Sequence, residues 1–346
     1  MTNRQLMVLG LIAACAVICA IALSYISNMP TTEPNVPMYL IQGLAPEDIY
    51  TIVLGSGDDE VILKRQQGRF VVASKDNYPA ITSEVNRLIS ACLDIKTVEF
   101  YTDDKQNFKA LGLTEEDAGN VIKFLKPDSS PLTGVIIGNN KKQGQGTFVR
   151  LISSDKVYVA AQNPRIKGWV LNYIDQQLLS LGREDIESVT VRAPNEVYTL
   201  RINQEDIVLE DIPAEKKLKD KFYERVFEAL TSLSFTDVMS TSSANDLDFT
   251  SQFVCRLKDS TVYTLNIAEK AEKTYIICKA EFADGNIAVE GQTFESHEQA
   301  QKADAKLLAS NKAREFSAKH QGWVYEIASY KAENLTKKLS ELTEDK

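Results

Sequence analysis

The order of predicted secondary structure in residues 47–183 recurs in residues 184–346. Each half opens on a strand with apolar residues at alternating positions, such as Ile52 and Leu54 in the first half, which is typical of a half-buried strand. Two further strand-like runs, a helix and a second group of strand-like runs follow in the same order in both halves. We therefore predict the α+β class, with two tandem repeats that are each a mainly antiparallel sheet with packed helices.

Both tryptophans of the chain lie in similar phrases that close the two halves. The first half ends on GWVLNYIDQQL, with Gly168 and Trp169, and the second on GWVYEIASYKAENL, with Gly322 and Trp323. Apolar residues follow each tryptophan at helical spacing, so we predict a closing helix in both halves. Glycine lets the chain turn and a large ring buries much area. We interpret these four residues as structural pins; an exposed, ligand-stacking tryptophan is the alternative.

Residues 6–26 form an uncharged, apolar stretch ahead of both halves. A helix of this length spans roughly 30 Å, the thickness of the hydrocarbon core of a bilayer. Arg4 is the only charged residue among residues 1–30, so the positive-inside rule places the N-terminus in the cytoplasm and the rest outside. The stretch is too long for a cleaved signal peptide and lacks its small-residue cleavage site. We predict one transmembrane helix in the bacterial inner (cytoplasmic) membrane, with the bulk of the chain in the periplasm or outside; lipidation of Cys15 is a minor alternative.

The domain boundaries follow from these features. We predict a cytoplasmic stub and anchor in residues 1–27, a Pro-rich spacer in residues 28–46, the first repeat in residues 47–183 and the second in residues 184–346. The second repeat is the longer one, and its extra residues fall in a segment rich in Ala, Lys and Glu, which favour helix. We therefore predict a helical insertion near residues 295–318.

Two interpretations of this insertion stay open. Its apolar residues could cover an edge of the second sheet, or it could be an arm offered to a partner. In the second case His297, Leu307 and Phe316 are the candidate contact residues. The spacing of its apolar residues is compatible with both.

Patterns that carry catalysis or metal binding are scarce. The chain has two histidines, His297 and His320, and neither an HExxH motif nor a GxSxG elbow accompanies them. No catalytic residue, cofactor or metal is therefore predicted. The net charge of -9 repels phosphate backbones, which argues against nucleic acid as a partner.

The cysteines outside the apolar stretch are predicted to be free thiols. Cys255 and Cys278 lie on strand-like runs with another such run between them. If the three runs form a meander, the two thiols are about 10 Å apart, which is too far for a disulfide.

Acidic residues are the remaining candidates for chemistry. A pair of carboxylates set across a cleft can hydrolyse a glycosidic bond. This leaves an alternative function, an extracytoplasmic enzyme or ligand-binding protein that acts on cell-envelope glycans. Its candidate residues lie in three acid-rich stretches: Asp58, Asp59, Asp103, Asp104, Asp246 and Asp248. The simpler interpretation is that they belong to solvated turns.

Four short motifs follow the predicted span: YPA from Tyr78, ALGL from Ala110, GTFVR from Gly146 and the closing GWVYEIASYKAENL. Together they resemble the bacterial domain-of-unknown-function family numbered 4340. In that family an acid often follows Tyr-Pro-Ala, whereas this chain has Ile81. The resemblance implies a non-catalytic, membrane-anchored accessory or scaffold subunit of an ABC-type export or envelope system, similar to the auxiliary components linked to gliding motility. It implies ABC permease and ATPase subunits as partners.

Overall fold

A computed structural model describes most of the chain beyond its first 36 residues. The described ranges are 37–57, 60–142, 144–204, 206–212, 215–219, 221–284 and 297–346. The predicted membrane span and the acids Asp58 and Asp59 lie outside them. Within these ranges, none of the helices is both long and apolar enough to cross a bilayer.

The first half forms a ten-stranded antiparallel sheet. Its strands are β1 Met38–Tyr39, β2 Thr51–Leu54, β3 Val61–Gln66, β4 Arg69–Val72, β5 Tyr78–Pro79, β6 Lys96–Thr102, β7 Asn120–Leu125, β8 Pro131–Asn140, β9 Thr147–Leu151 and β10 Val157–Ala160. They lie side by side in the order β1-β6-β10-β9-β8-β7-β2-β3-β4-β5. Ile52 and Leu54 are buried, as the alternation predicts.

A nine-stranded antiparallel sheet and a small two-stranded one form from residues 184–346 together with residues 177–179, which close the first half. The strands in chain order are β11 Gln177–Leu179, β12 Ile186–Ala193, β13 Glu196–Asn203, β14 Asp206–Leu209, β15 Lys216–Leu218, β16 Leu233–Ser240, β17 Ser251–Leu257, β18 Thr261–Lys270, β19 Lys273–Phe282, β20 Trp323–Ile327 and β21 Thr343–Asp345. The large sheet has the order β11-β16-β20-β19-β18-β17-β12-β13-β14, and β15 pairs with β21.

The two large sheets share one spatial order of strands. Nine neighbours in the first sheet, β1 and then β6 through β10 and β2 to β4, correspond in position and in chain order to nine in the second, β11 and then β16 through β20 and β12 to β14. The mixed architecture of antiparallel sheets and helices confirms the predicted α+β class.

In the part of the chain that the structure describes, six α-helices pack against these sheets: α1 Thr82–Leu93, α2 Phe108–Leu111, α3 Phe222–Phe227, α4 His297–His320, α5 Ser329–Leu335 and α6 Leu339–Leu342. Helix α1 buries Val85, Leu88, Ile89 and Cys92, one face of a 3.6-residue period. Each large apolar side chain buried this way stabilises the fold by about 1.5–3 kcal/mol. Helix α4 lies between β19 and β20 along the chain, in the region where the sequence predicts a helical insertion.

Two hydrophobic cores occupy opposite faces of the first sheet. The larger core contains α1 and continues into the second half. The smaller core lies under α2 and includes Phe108, Leu113 and Phe148. Alternate residues of β9 and β10 contribute to one core and then the other, because successive side chains of a strand point to opposite faces.

The predicted closing helices are wrong in the first half and only partly right in the second. Behind Trp169 the chain makes a 3-10 turn over Val170–Tyr173 and then strand β11. Trp323 is the first residue of strand β20, and helix α5 begins only at Ser329. Residues spaced for one helical face can also be buried by a turn followed by a strand, so the spacing alone did not decide the conformation.

Candidate functional site

The junction between the two halves is built around Tyr78 of the YPA motif. Tyr78 ends the β4–β5 connection of the first sheet and is only 4% exposed. Its ring centroid lies 4.8 Å from that of Trp323, 6.0 Å from that of Phe235 and 6.3 Å from that of Tyr325, each in an edge-to-face arrangement. All three partners belong to the second half, so the motif joins the halves through aromatic packing.

A buried hydrogen bond lies in the same junction. His320 Nδ1 is 2.7 Å from the hydroxyl of Tyr325, the residue whose ring packs against that of Tyr78. Burial raises the pKa of both tyrosines. Burial also lowers the pKa of His320 to about 4, because the apolar surroundings disfavour the imidazolium. All three groups are therefore neutral at physiological pH.

Charged residues flank the aromatic junction. Lys75 Nζ lies 2.7 Å from an Asp237 carboxylate oxygen. The Asp76 carboxylate accepts hydrogen bonds from Ser240 N at 2.8 Å and from Ser243 Oγ at 3.0 Å. The backbone hydrogen bond from Ser240 is the main reason that the pKa of Asp76 is lowered. Residues 75–78 thus contact the second half through an ion pair, a carboxylate cap and a buried ring.

The four residues predicted as structural pins differ in their surroundings. Trp323 is partly buried against the large core and against Tyr78, and Gly322 before it has a φ of +84°, which glycine adopts without strain. Trp169 is 65% exposed, so its interpretation as a buried pin is wrong. The φ angle of Gly168, which precedes Trp169, is not positive. Of the four residues, only Trp323 holds a packed position, because Gly322 is exposed.

Two other family motifs contact each other. Arg150 of GTFVR is buried, and its Nε donates a 3.0 Å hydrogen bond to the Leu113 carbonyl of ALGL. Its Nη1 donates to the carbonyls of Leu151, Ile152 and Ser154 at 3.2–3.5 Å. The guanidinium also lies 4.5 Å from the ring centroid of Phe108, a favourable cation–π contact.

Gly138 explains why this contact is possible. A Cβ at that position would lie 2.4 Å from the Leu111 carbonyl oxygen, so only glycine lets the ALGL segment approach strand β8 so closely. Together with the hydrogen bonds of Arg150, this close approach makes the two motifs structural: they fix α2 on the first sheet.

The three residues predicted for an interaction arm do not act together. His297 and Leu307 are exposed in the N-terminal part of α4, as is Leu308. Phe316 instead packs inward, with its ring centroid 5.1 Å from that of Tyr263 and 4.3 Å from that of His320. The C-terminal part of the helix packs on β19, which is an interior strand of the second sheet and not its edge. The N-terminal part exposes apolar side chains to solvent, and the interaction arm stays a prediction.

The four described acids of those proposed for glycan chemistry lie in two separate exposed loops. Asp103 and Asp104 follow β6, where Asp104 Oδ1 accepts a 3.0 Å hydrogen bond from Gln106 N. Asp246 and Asp248 lie between β16 and β17. Asp246 pairs with Lys270, a contact that lowers its pKa. Among the described residues, no group of His, Cys, Asp and Glu side chains is arranged to hold a metal ion.

The three described cysteines are buried free thiols, as the strand pattern predicts. Cys255 pairs across the ladder with Tyr263, and Leu265 with Cys278, so β18 separates the two thiols. Burial raises the pKa of each cysteine thiol to about 12, and thiols of this kind are unreactive.

Sequence reasoning missed the junction residues Lys75, Asp76 and Asp237. The only signal in the sequence is the YPA motif itself, an aromatic residue before a proline that ends a strand. Lys75 and Asp237 are 162 residues apart along the chain, and no local pattern reports a contact at that separation.

The family model described as Domain of unknown function (DUF4340) matches residues 71–252, just over half of the chain. The chain therefore belongs to this family, as its motifs suggest. The matched range contains the YPA, ALGL and GTFVR motifs and ends before Trp323. No curated protein and no solved structure matches the chain.

Proposed function

We propose that the protein is a non-catalytic, membrane-anchored accessory or scaffold subunit of an ABC-type export or envelope system. In this proposal residues 1–27 hold the chain in the bacterial inner (cytoplasmic) membrane with the N-terminus inside. Residues 28–46 act as a spacer, and the body lies in the periplasm or outside. The ABC permease and ATPase are the proposed partners, following the resemblance to family members found beside such systems.

The body is proposed to be two tandem copies of one α+β unit, in residues 47–183 and 184–346. The support is the shared order of nine strands in the two large sheets, together with their shared order along the chain. Helix α4 is the main difference: the first sheet has only residues 152–156 between β9 and β10 at the corresponding place.

The observation that carries the scaffold role is the junction around Tyr78. Aromatic packing, an ion pair and a carboxylate cap fill the contact between the halves. Ligand-binding proteins that work by closure instead leave a solvent-filled crevice between their domains. A filled junction favours a body that holds one shape and offers its outer surface to partners.

The exposed part of α4 is the proposed contact for a partner. Leu307 and Leu308 are consecutive residues of the helix, and both side chains are exposed to solvent. Adjacent exposed leucines next to charged residues such as Lys302 and Lys306 are typical of the rim and centre of a modest protein interface.

The test is purification of the tagged, full-length protein from its native membrane in a mild detergent, with mass spectrometry of the recovered proteins. Stoichiometric recovery of an ABC permease and its ATPase supports the proposal. Recovery of the protein alone, under conditions that keep a known membrane complex intact, contradicts it. A Leu307→Ser, Leu308→Ser variant should lose the partners, whereas Val197→Ser, at an exposed residue of β13, should retain them.

A further inference from the structure

The free edge of the first sheet carries a cluster of exposed apolar side chains, which we call the aromatic edge. Its members are Met38 and Tyr39 on β1, Phe100 and Tyr101 on β6, and Tyr158 on β10. The first four are 44–55% exposed and account for four of the ten exposed large apolar side chains among the described residues. Single exposed apolar residues are ordinary, whereas a cluster marks a contact surface.

The aromatic edge shows rings on both faces of the sheet. Phe100 pairs with Tyr158 across the ladder, and their ring centroids are 5.9 Å apart. Tyr101 lies 4.7 Å from Phe148, which belongs to the core on the opposite face. A surface that awaits a packed helix is apolar on one face only. The aromatic edge instead carries apolar rings on both faces of the sheet, and this arrangement suits edge-on insertion into an apolar layer.

Polar groups border the aromatic edge on one side. Lys96 Nζ lies 5.1 Å from the ring centroid of Tyr39, and the two residues are directly paired on neighbouring strands. Lys96 also lines a surface cleft of about 600 Å³ together with Asp94 and Arg165. Aromatic rings beside a cleft with charges of both signs match the chemistry of a zwitterionic headgroup layer above acyl chains.

Chain length places this edge close to the predicted span. The described chain begins at Pro37, next to β1. Because β1 runs antiparallel to β6, with Met38 opposite Thr97, the start of β1 is its end nearer Phe100. Residues 27–37 separate the predicted span from Met38, and a fully extended chain of that length reaches only about 40 Å. In the proposed arrangement the spacer therefore keeps the start of β1 within about 40 Å of the membrane surface.

We propose that the aromatic edge lies in the headgroup layer on the outer face of the membrane that holds the anchor, so that the first sheet meets the bilayer edge-on. This inference rests on the proposed membrane anchor. Tyrosine favours this layer because its ring is apolar and its hydroxyl is hydrated. The net charge of -9 opposes attraction to anionic lipid, so the contact depends on insertion of the rings and forms on zwitterionic lipid.

The test uses the full-length protein in phosphatidylcholine vesicles, with and without bromine atoms on the acyl chains near the headgroup. Bromine quenches tryptophan fluorescence on contact. A Tyr39→Trp variant reports on the aromatic edge, and Phe100→Trp is a second reporter at the same edge. Tyr330→Trp is the matched control, because Tyr330 is 67% exposed and lies on α5 of the second half. The unmodified chain, with Trp169 and Trp323, sets the baseline.

We expect the added emission of Tyr39→Trp and Phe100→Trp to fall by roughly half or more in brominated vesicles, as for side chains in the interfacial layer. The added emission of Tyr330→Trp should not change. Flotation of the protein with the vesicles reports on the anchor separately. Flotation without quenching of the edge reporters, or with equal quenching of all three, overturns the aromatic-edge proposal alone. Failure to float overturns the proposed anchor and the inference with it.

Discussion

Mild acid should destabilise the protein through His320. This residue is buried between Phe316 and Tyr325, with Lys319 and Asp175 as the charged groups that act on it. Burial lowers its pKa from 6.5 to about 4, Lys319 adds to that effect and Asp175 opposes it. The folded protein thus keeps the imidazole neutral at pH values where the unfolded chain binds a proton. Stability is full above about pH 6.5 and is lost as the pH falls toward 4.

The magnitude follows from the two pKa values. With 6.5 in the unfolded chain and about 4 in the folded protein, lowering the pH from about 8 to about 5 removes about 2 kcal/mol of the free energy of unfolding. The loss approaches about 3 kcal/mol well below pH 4 by the same relation. Either figure is a large fraction of the stability of an ordinary domain.

A matched pair of variants separates this effect from the titration of carboxylates. His320→Asn keeps a polar atom near the position of Nδ1, facing the Tyr325 hydroxyl, and does not titrate. His297→Asn removes the only other histidine, which is exposed at the start of α4. Denaturant unfolding of the full-length protein in a non-ionic detergent should show the extra loss in the parent chain and in His297→Asn only. An equal loss in all three proteins would refute the reasoning.

Four further substitutions at three residues test the junction and the motifs through unfolding free energies. Tyr78→Phe removes one buried hydroxyl at the junction and should cost about 1 kcal/mol, whereas Tyr78→Ala also leaves a cavity and should cost about 3–5 kcal/mol; equal costs would show that the ring packing is unimportant. Arg150→Met leaves the Leu113 carbonyl without its donor and should cost about 1–3 kcal/mol. A neutral Arg150→Met variant would contradict the structural role of GTFVR. Trp169→Ala should change stability by less than about 0.5 kcal/mol because the ring lies in solvent, and a larger loss would restore its interpretation as a pin.

The sequence predicted elements whose signal is local. The helix predicted after the opening strands of the first half is present as α1, and it buries one face because an amphipathic helix between turn residues has few other ways to bury its apolar side chains. The opening strand of the second half buries Val189 and Val191 in the same way. The closing segments failed for the opposite reason. Apolar residues behind Trp169 are buried by a turn and a short edge strand, and the choice between these conformations depends on contacts with β16.

The junction could not be read from the sequence in the same way. The YPA motif was visible, but the role of Tyr78 depends on Phe235, Trp323 and Tyr325, which the chain brings together only after both sheets have formed. The surroundings of the three arm residues also depend on tertiary contacts. Leu307 is exposed, whereas Phe316 is drawn onto Tyr263 by the position of α4 over β19, which helical spacing does not specify.

The strand order of the second sheet also sets the sequence of events during synthesis. Strand β16 pairs with β20, yet α4 and three strands separate them along the chain. Until residues 323–327 have left the ribosome, one edge of β16 has no neighbour, and an open strand edge is prone to wrong pairing. Tyr78 is made early and meets Trp323 and Tyr325 only when synthesis is nearly complete. A nascent chain of this kind therefore completes the junction between its halves late in synthesis.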